Sequence, residues 1–358
     1  MRLRRKKLGR ALAATAGITI AALTLAGCAS GTAAKPGPTK TSAAEAVKSD
    51  GKLTLYSGRN EELIGPLIKQ FTAKTGIKVD ARYGKTGEMV ALLQEEGDKT
   101  SAQVFLSQDA GALGKLTAAG LTSTLPADIT DSVPAEFTST DGSWVGVTGR
   151  ARVIAYDSKQ LTEDQVPDSI NDITAPKWKG KVAFPPGNAS FLAFITALRV
   201  LEGEKAADKW VADMVANKPI LAEKNSAALE MVNTGSAQLA LINDYYWSEA
   251  AAEVGADKMR AQIKYLPGDP GGIVNVTGAA ILPGAQGDPD ALEFVKYLVS
   301  EAGQTYFVKQ KFEYPLRPGI AAPAGIPPLK SLANPKLDLS DLKSLPESEK
   351  LLAKHGLL

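Results

Sequence analysis

The feature that most restricts this chain is an alternation. Between residues 52 and 119, short apolar runs at 52–56, 77–83 and 104–106 alternate with segments of helical spacing at 61–74, 87–96 and 110–119. Leu63, Leu67, Ile68 and Phe71 mark one helix face, and Gly76 and Gly120 stop the first and last of these helices. Strands that alternate with helices predict a largely parallel sheet covered by helices, so the fold class is α/β. Single-layer all-helical and all-strand folds are excluded.

The pattern breaks in a Pro/Ser/Thr-rich stretch at 123–142 and resumes with a long strand at 149–156. That strand reads as a crossover into a second lobe. Further strands at 181–184 and 239–243 and helices at 191–201, 205–216 and 226–234 belong there, and 271–282 reads as the return strand. Helices at 289–298 and 303–309 then complete the first lobe. The expected division is 51–150 with 276–314 as lobe 1, and 151–275 with 315–358 as lobe 2. A chain that crosses and returns makes a hinge, which suits ligand capture by closure.

Within the second lobe, Leu239-Ala240-Leu241-Ile242-Asn243 runs directly into Asp244-Tyr245-Tyr246-Trp247. The apolar run predicts a buried strand and the alanine-rich stretch after it a helix, so both tyrosines fall at the strand's carboxyl end, where open α/β sheets place ligands. Three readings of the pair follow from its chemistry: packing of the helix on the sheet, stacking on a sugar, or ligation of a hard cation whose charge deprotonates the phenols. The last suits ferric iron.

Catalysis finds little to work with. Acid-base and nucleophilic schemes draw mostly on histidine and cysteine, but the only histidine is His355 in the tail and the only cysteine is Cys28. There is no Walker A motif, zinc-ligand spacing or dinucleotide glycine-rich turn, so the chain is not expected to be an enzyme. Residues 1–27 read as a signal peptide, with Arg2, Arg4, Arg5, Lys6, Lys7 and Arg10 before a short apolar run. It closes on Leu25-Ala26-Gly27-Cys28, similar to a bacterial lipobox, which predicts lipidation of Cys28 followed by a flexible tether to residue 50. The expected location is therefore the extracytoplasmic face of the cell membrane, lipid-anchored. The 41 basic residues nearly balance 39 acidic ones, and once the leader's cations are set aside the acids predominate. This argues against nucleic acid as a partner.

Several local signatures occur together: Leu55-Tyr56-Ser57-Gly58-Arg59-Asn60, Gly149-Arg150-Ala151-Arg152, Ala222-Glu223-Lys224-Asn225-Ser226, the Leu241 to Trp247 stretch, and Phe312-Glu313-Tyr314-Pro315-Leu316-Arg317. In combination with the lobes and lipobox they resemble the ferric-ion-binding family, the solute-binding proteins of ABC-type iron transporters. The resemblance implies a two-lobed, type II periplasmic-binding-protein-like fold with an interlobe ligand cleft. It implies Fe(III) held by Tyr245 and Tyr246, completed by phosphate, carbonate or a similar synergistic anion. The matching anion positions are Asn188, Ala189, Ser190, Asn225 and Asn243. Independently, the loop from Pro186 to Phe191 exposes backbone N–H groups before a helix, although Asn188, Ser190 and Asn225 also suit plain helix capping.

The family's first-lobe histidine and glutamate ligands are replaced here by Asn60 and Gln108. Both are neutral amides, expected to give hydrogen bonds or water-mediated contacts. Glu61, Glu62 and Asp109 suit helix first turns. Arg59, Arg150, Arg152 and Arg317 are expected near the cleft, either on an anion or in salt bridges between lobes. The implied partners are a permease and ATPase complex, with the protein itself a monomer. The other reading within the binding class is capture of a different small anion, a polyamine or a ferric chelate.

Overall fold

The computed structural model describes residues 48–332, 334 and 336–358; the expected leader, the Cys28 lipidation and most of the tether lie outside them. The first strand, β1 (Lys52–Ser57), leads through α1 (Glu61–Thr75) to β2 (Lys78–Tyr83), then through α2 (Thr86–Glu96) to β3 (Val104–Ser107) and α3 (Ala110–Ala118). Local chemistry sets these limits: Asn60 caps α1 by accepting from the Leu63 amide at 3.0 Å, and Gly76 ends it at φ 80°. After a short α4 (Ala127–Thr130) comes β4 (Val145–Asp157), thirteen residues long and buried throughout.

The second half repeats the plan. β5 (Val182–Phe184), α5 (Ala189–Glu202), α6 (Glu204–Ala216), β6 (Ile220–Leu221), α7 (Asn225–Asn233), β7 (Leu239–Asn243) and α8 (Asp244–Val254) follow in order. β8 (Ala261–Tyr265) and β9 (Val274–Ile281) return the chain to α9 (Pro289–Leu298), α10 (Glu301–Lys311), β10 (Tyr314–Pro315) and finally α11 (Leu345–Lys354). In the first half β1 lies parallel between β2 and β3, and in the second β5 lies parallel between β6 and β7. β4 belongs to both: residues 145–151 pair antiparallel with β9, and residues 152–157 pair antiparallel with β7 and β8.

Side chains alternate across β4 and β7 as a strand requires. Ile154, Leu239 and Leu241 enter one apolar cluster with α5 and α6, whereas Val153, Ala240 and Ile242 enter another with α7. Completely burying one such Leu or Ile contributes about 1.5–3 kcal/mol. The first half has its own core around Phe71, Phe105, Trp144 and Phe294. Ser49 and the Asp50 and Gly51 amides bind the Asp290 carboxylate, which fixes the chain just before β1.

The strand expected at 149–156 begins four residues earlier, and β8 and α11 were not anticipated. In the tail, Leu332, Leu339 and Leu342 pack into the first core, while Leu352 and Leu357 pack into the second. The tail thus touches both halves. It approaches α3 where glycine leaves room: a Cβ on Gly114 would lie 2.5 Å from the Ser340 carbonyl oxygen. Gly114→Val should therefore destabilise the fold by about 1–3 kcal/mol, read as a lower denaturant midpoint.

Candidate functional site

The carboxyl ends of β1, β3 and β7 and the loop between β5 and α5 converge on a cleft of about 1220 Å³. Asn60, Gln108, Asn188, Ala189, Tyr245 and Tyr246 all line it. β7 passes into α8 without a loop, because the Asp244 carboxylate organises the junction. Its Oδ1 accepts from the Ala151 amide at 3.2 Å and the Tyr245 amide at 2.9 Å, and Tyr265 donates to Oδ2 at 3.4 Å. Burial pushes this carboxyl up to about 7, against those hydrogen bonds.

Tyr245 and Tyr246 occupy the first turn of α8 with stacked rings, centroids 4.3 Å apart and 29° between planes. Burial, then the neighbouring Tyr246 hydroxyl, raise the Tyr245 phenol well above its ordinary value, while Arg150 and Arg59 pull the other way. Tyr245 is therefore a neutral phenol at neutral pH unless a strong positive charge is added beside it. Trp247 turns away and donates to the Ala261 carbonyl at 2.6 Å, packing behind the pair.

Ser190, Asn225 and Asn243 stand behind the cleft wall, and Arg152 ties them together. Its Nη1 donates to Ser190 Oγ at 3.1 Å and to Asn243 Oδ1 at 3.3 Å; Asn225 Nδ2 donates to Ser190 Oγ at 3.4 Å. Asn188 caps α5, accepting from the Ser190 amide at 2.9 Å and the Ser190 hydroxyl at 2.6 Å. Asn225 is not a cap; it is the first residue of α7, and its Oδ1 is buried without a partner among the described residues.

Arg152 forms no salt bridge among the described residues, contrary to that reading of it. Its guanidinium lies over Phe191 and Phe194, its Nη2 is unpartnered, and burial pulls it down to about 9, with Tyr246 and Tyr245 opposing. It still carries charge at neutral pH. Arg150, two residues along the same face of β4, donates to the Gln108 carbonyl and leaves Nε unpartnered. Two buried cations without carboxylates make this wall receptive to an anion. Arg317, by contrast, is exposed and donates to the Val299 carbonyl at 3.3 Å, away from the cleft lining.

Glu249 and Lys311 belong to none of the sequence signatures, and Glu313 enters only as part of the Phe312 to Arg317 stretch, yet all three line the cleft. Glu313 is completely buried; it accepts from Arg59 Nη2 at 2.5 Å and from the Thr148 hydroxyl, and Arg59 Nη1 donates to the Thr277 hydroxyl at 2.6 Å. Asp109 accepts from the Ala112 amide at 3.0 Å as the cap of α3, and Glu61 and Glu62 occupy the first turn of α1. Among the described residues, no three His, Cys, Asp or Glu side chains converge on a metal position.

The profile of the bacterial extracellular solute-binding proteins matches residues 99–337. The major ferric iron-binding protein of Neisseria meningitidis serogroup B is 32% identical, covering 85% of this chain and 93% of its own. The structure is similar to iron-bound HitA from Pseudomonas aeruginosa, with TM-score 0.79, 34% identity and coverage of 86% and 99% of the two chains. It is also similar to a Trichodesmium protein, IdiA or FutA, in complex with iron and citrate ligands, with TM-score 0.76, 26% identity and coverage of 86% and 100%.

Burial raises the Glu313 carboxyl, but Arg59 and then Arg150 outweigh it and hold it below the ordinary range. Its stabilising contribution is thus present above the unfolded value near about 4.3 and lost as pH falls through the lower folded value. Arg59→Met should cost about 3–5 kcal/mol by stranding a buried carboxylate. On acidification below about pH 4, the parent should lose stability more steeply than Glu313→Gln in denaturant titrations.

Proposed function

The chain belongs to the bacterial extracellular solute-binding proteins, among the ferric iron-binding periplasmic proteins, and we propose that Tyr245 and Tyr246 are the phenolate ligands by which it captures Fe(III). It is a binding protein for iron transport, not an enzyme, and it works outside the cytoplasm. The observation that carries the ligand assignment is the stacked tyrosine pair at the head of α8, facing a cleft where Asp109 caps α3 and Glu313 is bound to Arg59.

Each ligating phenol must give up its proton, so binding releases protons and affinity rises with pH. The Asn60 and Gln108 amides supply hydrogen bonds from the first lobe, not charge. A synergistic anion such as phosphate or carbonate completes the site beside Asn188, Ala189, Ser190, Asn225 and Asn243. The unpartnered Arg152 Nη2 and Arg150 Nε support that reading. A ferric chelate is the second reading, favoured by a cleft larger than a bare ion needs and by the citrate in the Trichodesmium complex.

Lobe closure about β4 and β9 excludes water and strengthens every charge interaction at the ion. The closed form then docks on the permease and ATPase of an ABC importer, acting as a monomer. A lipid on Cys28 keeps the protein at the membrane; no helix of the described residues is long and apolar enough to cross one.

Titration with ferric citrate should produce a saturable phenolate-to-iron absorption band. Tyr245→Phe/Tyr246→Phe should abolish it and the tight binding, and an unchanged affinity in that double variant would refute the assignment. Cys28→Ser should move the protein from the membrane fraction to the soluble one, as read by fractionation and immunoblot.

A further inference from the structure

Glu249 lies one turn beyond the tyrosine pair on α8, at i+4 from Tyr245 and i+3 from Tyr246. That spacing puts the three side chains on one face of the helix, and all three line the cleft. Glu249 remains about one-third exposed, with 36% of its side-chain surface accessible, so a ligand in the cleft can reach it. Lys311 of α10 stands opposite, its Nζ 3.7 Å from Glu249 Oε1. This is an ion pair longer than a hydrogen bond, and therefore easily exchanged.

Charge balance shows what the protein's own ligands lack. Two phenolates leave a ferric ion with net positive charge, and neither Asn60 nor Gln108 can neutralise it. Asp109 is spent on capping α3 and Glu313 on Arg59 and Thr148. Of the other acids lining the cleft, Glu88 lies beside Lys85, and Glu61, Glu223 and Glu349 are exposed on elements remote in sequence from the pair. Glu249 alone shares the tyrosines' helix face. A carboxylate is also a hard oxygen donor of the kind a ferric ion prefers.

We propose that Glu249 is a third protein ligand of the ferric ion, exchanging Lys311 for the metal when the cleft fills. The inference rests on the phenolate reading above, and it accounts for a first lobe that offers no anionic ligand.

The test titrates ferric citrate into the full-length parent, Glu249→Gln and Lys311→Met, following affinity and the visible band. Glu249→Gln should keep a band, because the phenolates remain. Its maximum should move to lower energy, since iron short of one anionic donor accepts electron density more readily. Its affinity should fall by at least the roughly 10–100-fold that loss of an outer-shell partner costs a metal site. Lys311→Met should bind at least as tightly as the parent, with an unshifted band. Parent-like affinity and band in Glu249→Gln would overturn the proposal, as would an equal loss in Lys311→Met, which would assign Glu249 to the ion pair alone. Absence of a band in the parent would instead overturn the phenolate reading on which the proposal stands.

Discussion

The architecture depends on β4, a thirteen-residue strand with every residue buried. Its first part is hydrogen-bonded to β9 and its last part to β7 and β8, so one strand is common to both halves of the molecule. Where the two pairings meet, Arg150 and Arg152 project from the same strand face, as residues two apart must. The strand that joins the halves is therefore also the strand that brings positive charge to the region behind the cleft lining. Burying two guanidinium groups without carboxylate partners is costly, and the cost is tolerable where an anion is to be bound.

Charge at the cleft is divided by position. Arg59 is neutralised internally by Glu313, which itself is held by Thr148, so that corner is rigid and spent. Among the described residues, Arg152 is held only by Ser190 and Asn243 oxygens and by aromatic faces. Beside it, burial holds the Tyr245 phenol well above its ordinary value. The site thus holds its unpaired positive charge behind the tyrosines, an arrangement in which metal and anion each improve the site for the other.

Much of this was legible in the sequence because it is local. Alternating apolar runs located β1 to β3, β7 and their helices, and the Leu239 to Trp247 stretch placed both tyrosines at a strand-helix junction. What escaped was long-range or weakly patterned. β8 alternates with Gln262 and Lys264 and carries too little apolar signal. α11 follows a proline-rich tail that masks a helix start. The Arg59 to Glu313 pair joins residues 254 apart, which no spacing rule reports. Glu249 was readable from its i+3 and i+4 spacing, but only once the tyrosines were placed on the same helix. Sequence leaves Arg152 open between an anion and a salt bridge between lobes, because its partners Ser190 and Asn243 are remote along the chain; among the described residues it finds one amide oxygen and one hydroxyl.

The account stands on where the iron sits. The most direct measurement is anomalous diffraction at the iron absorption edge from crystals of the ferric-loaded protein. One strong peak in the cleft, within coordination distance of both the Tyr245 and Tyr246 phenol oxygens, is the predicted result. A peak elsewhere, or one in the cleft that neither phenol oxygen touches, would contradict it.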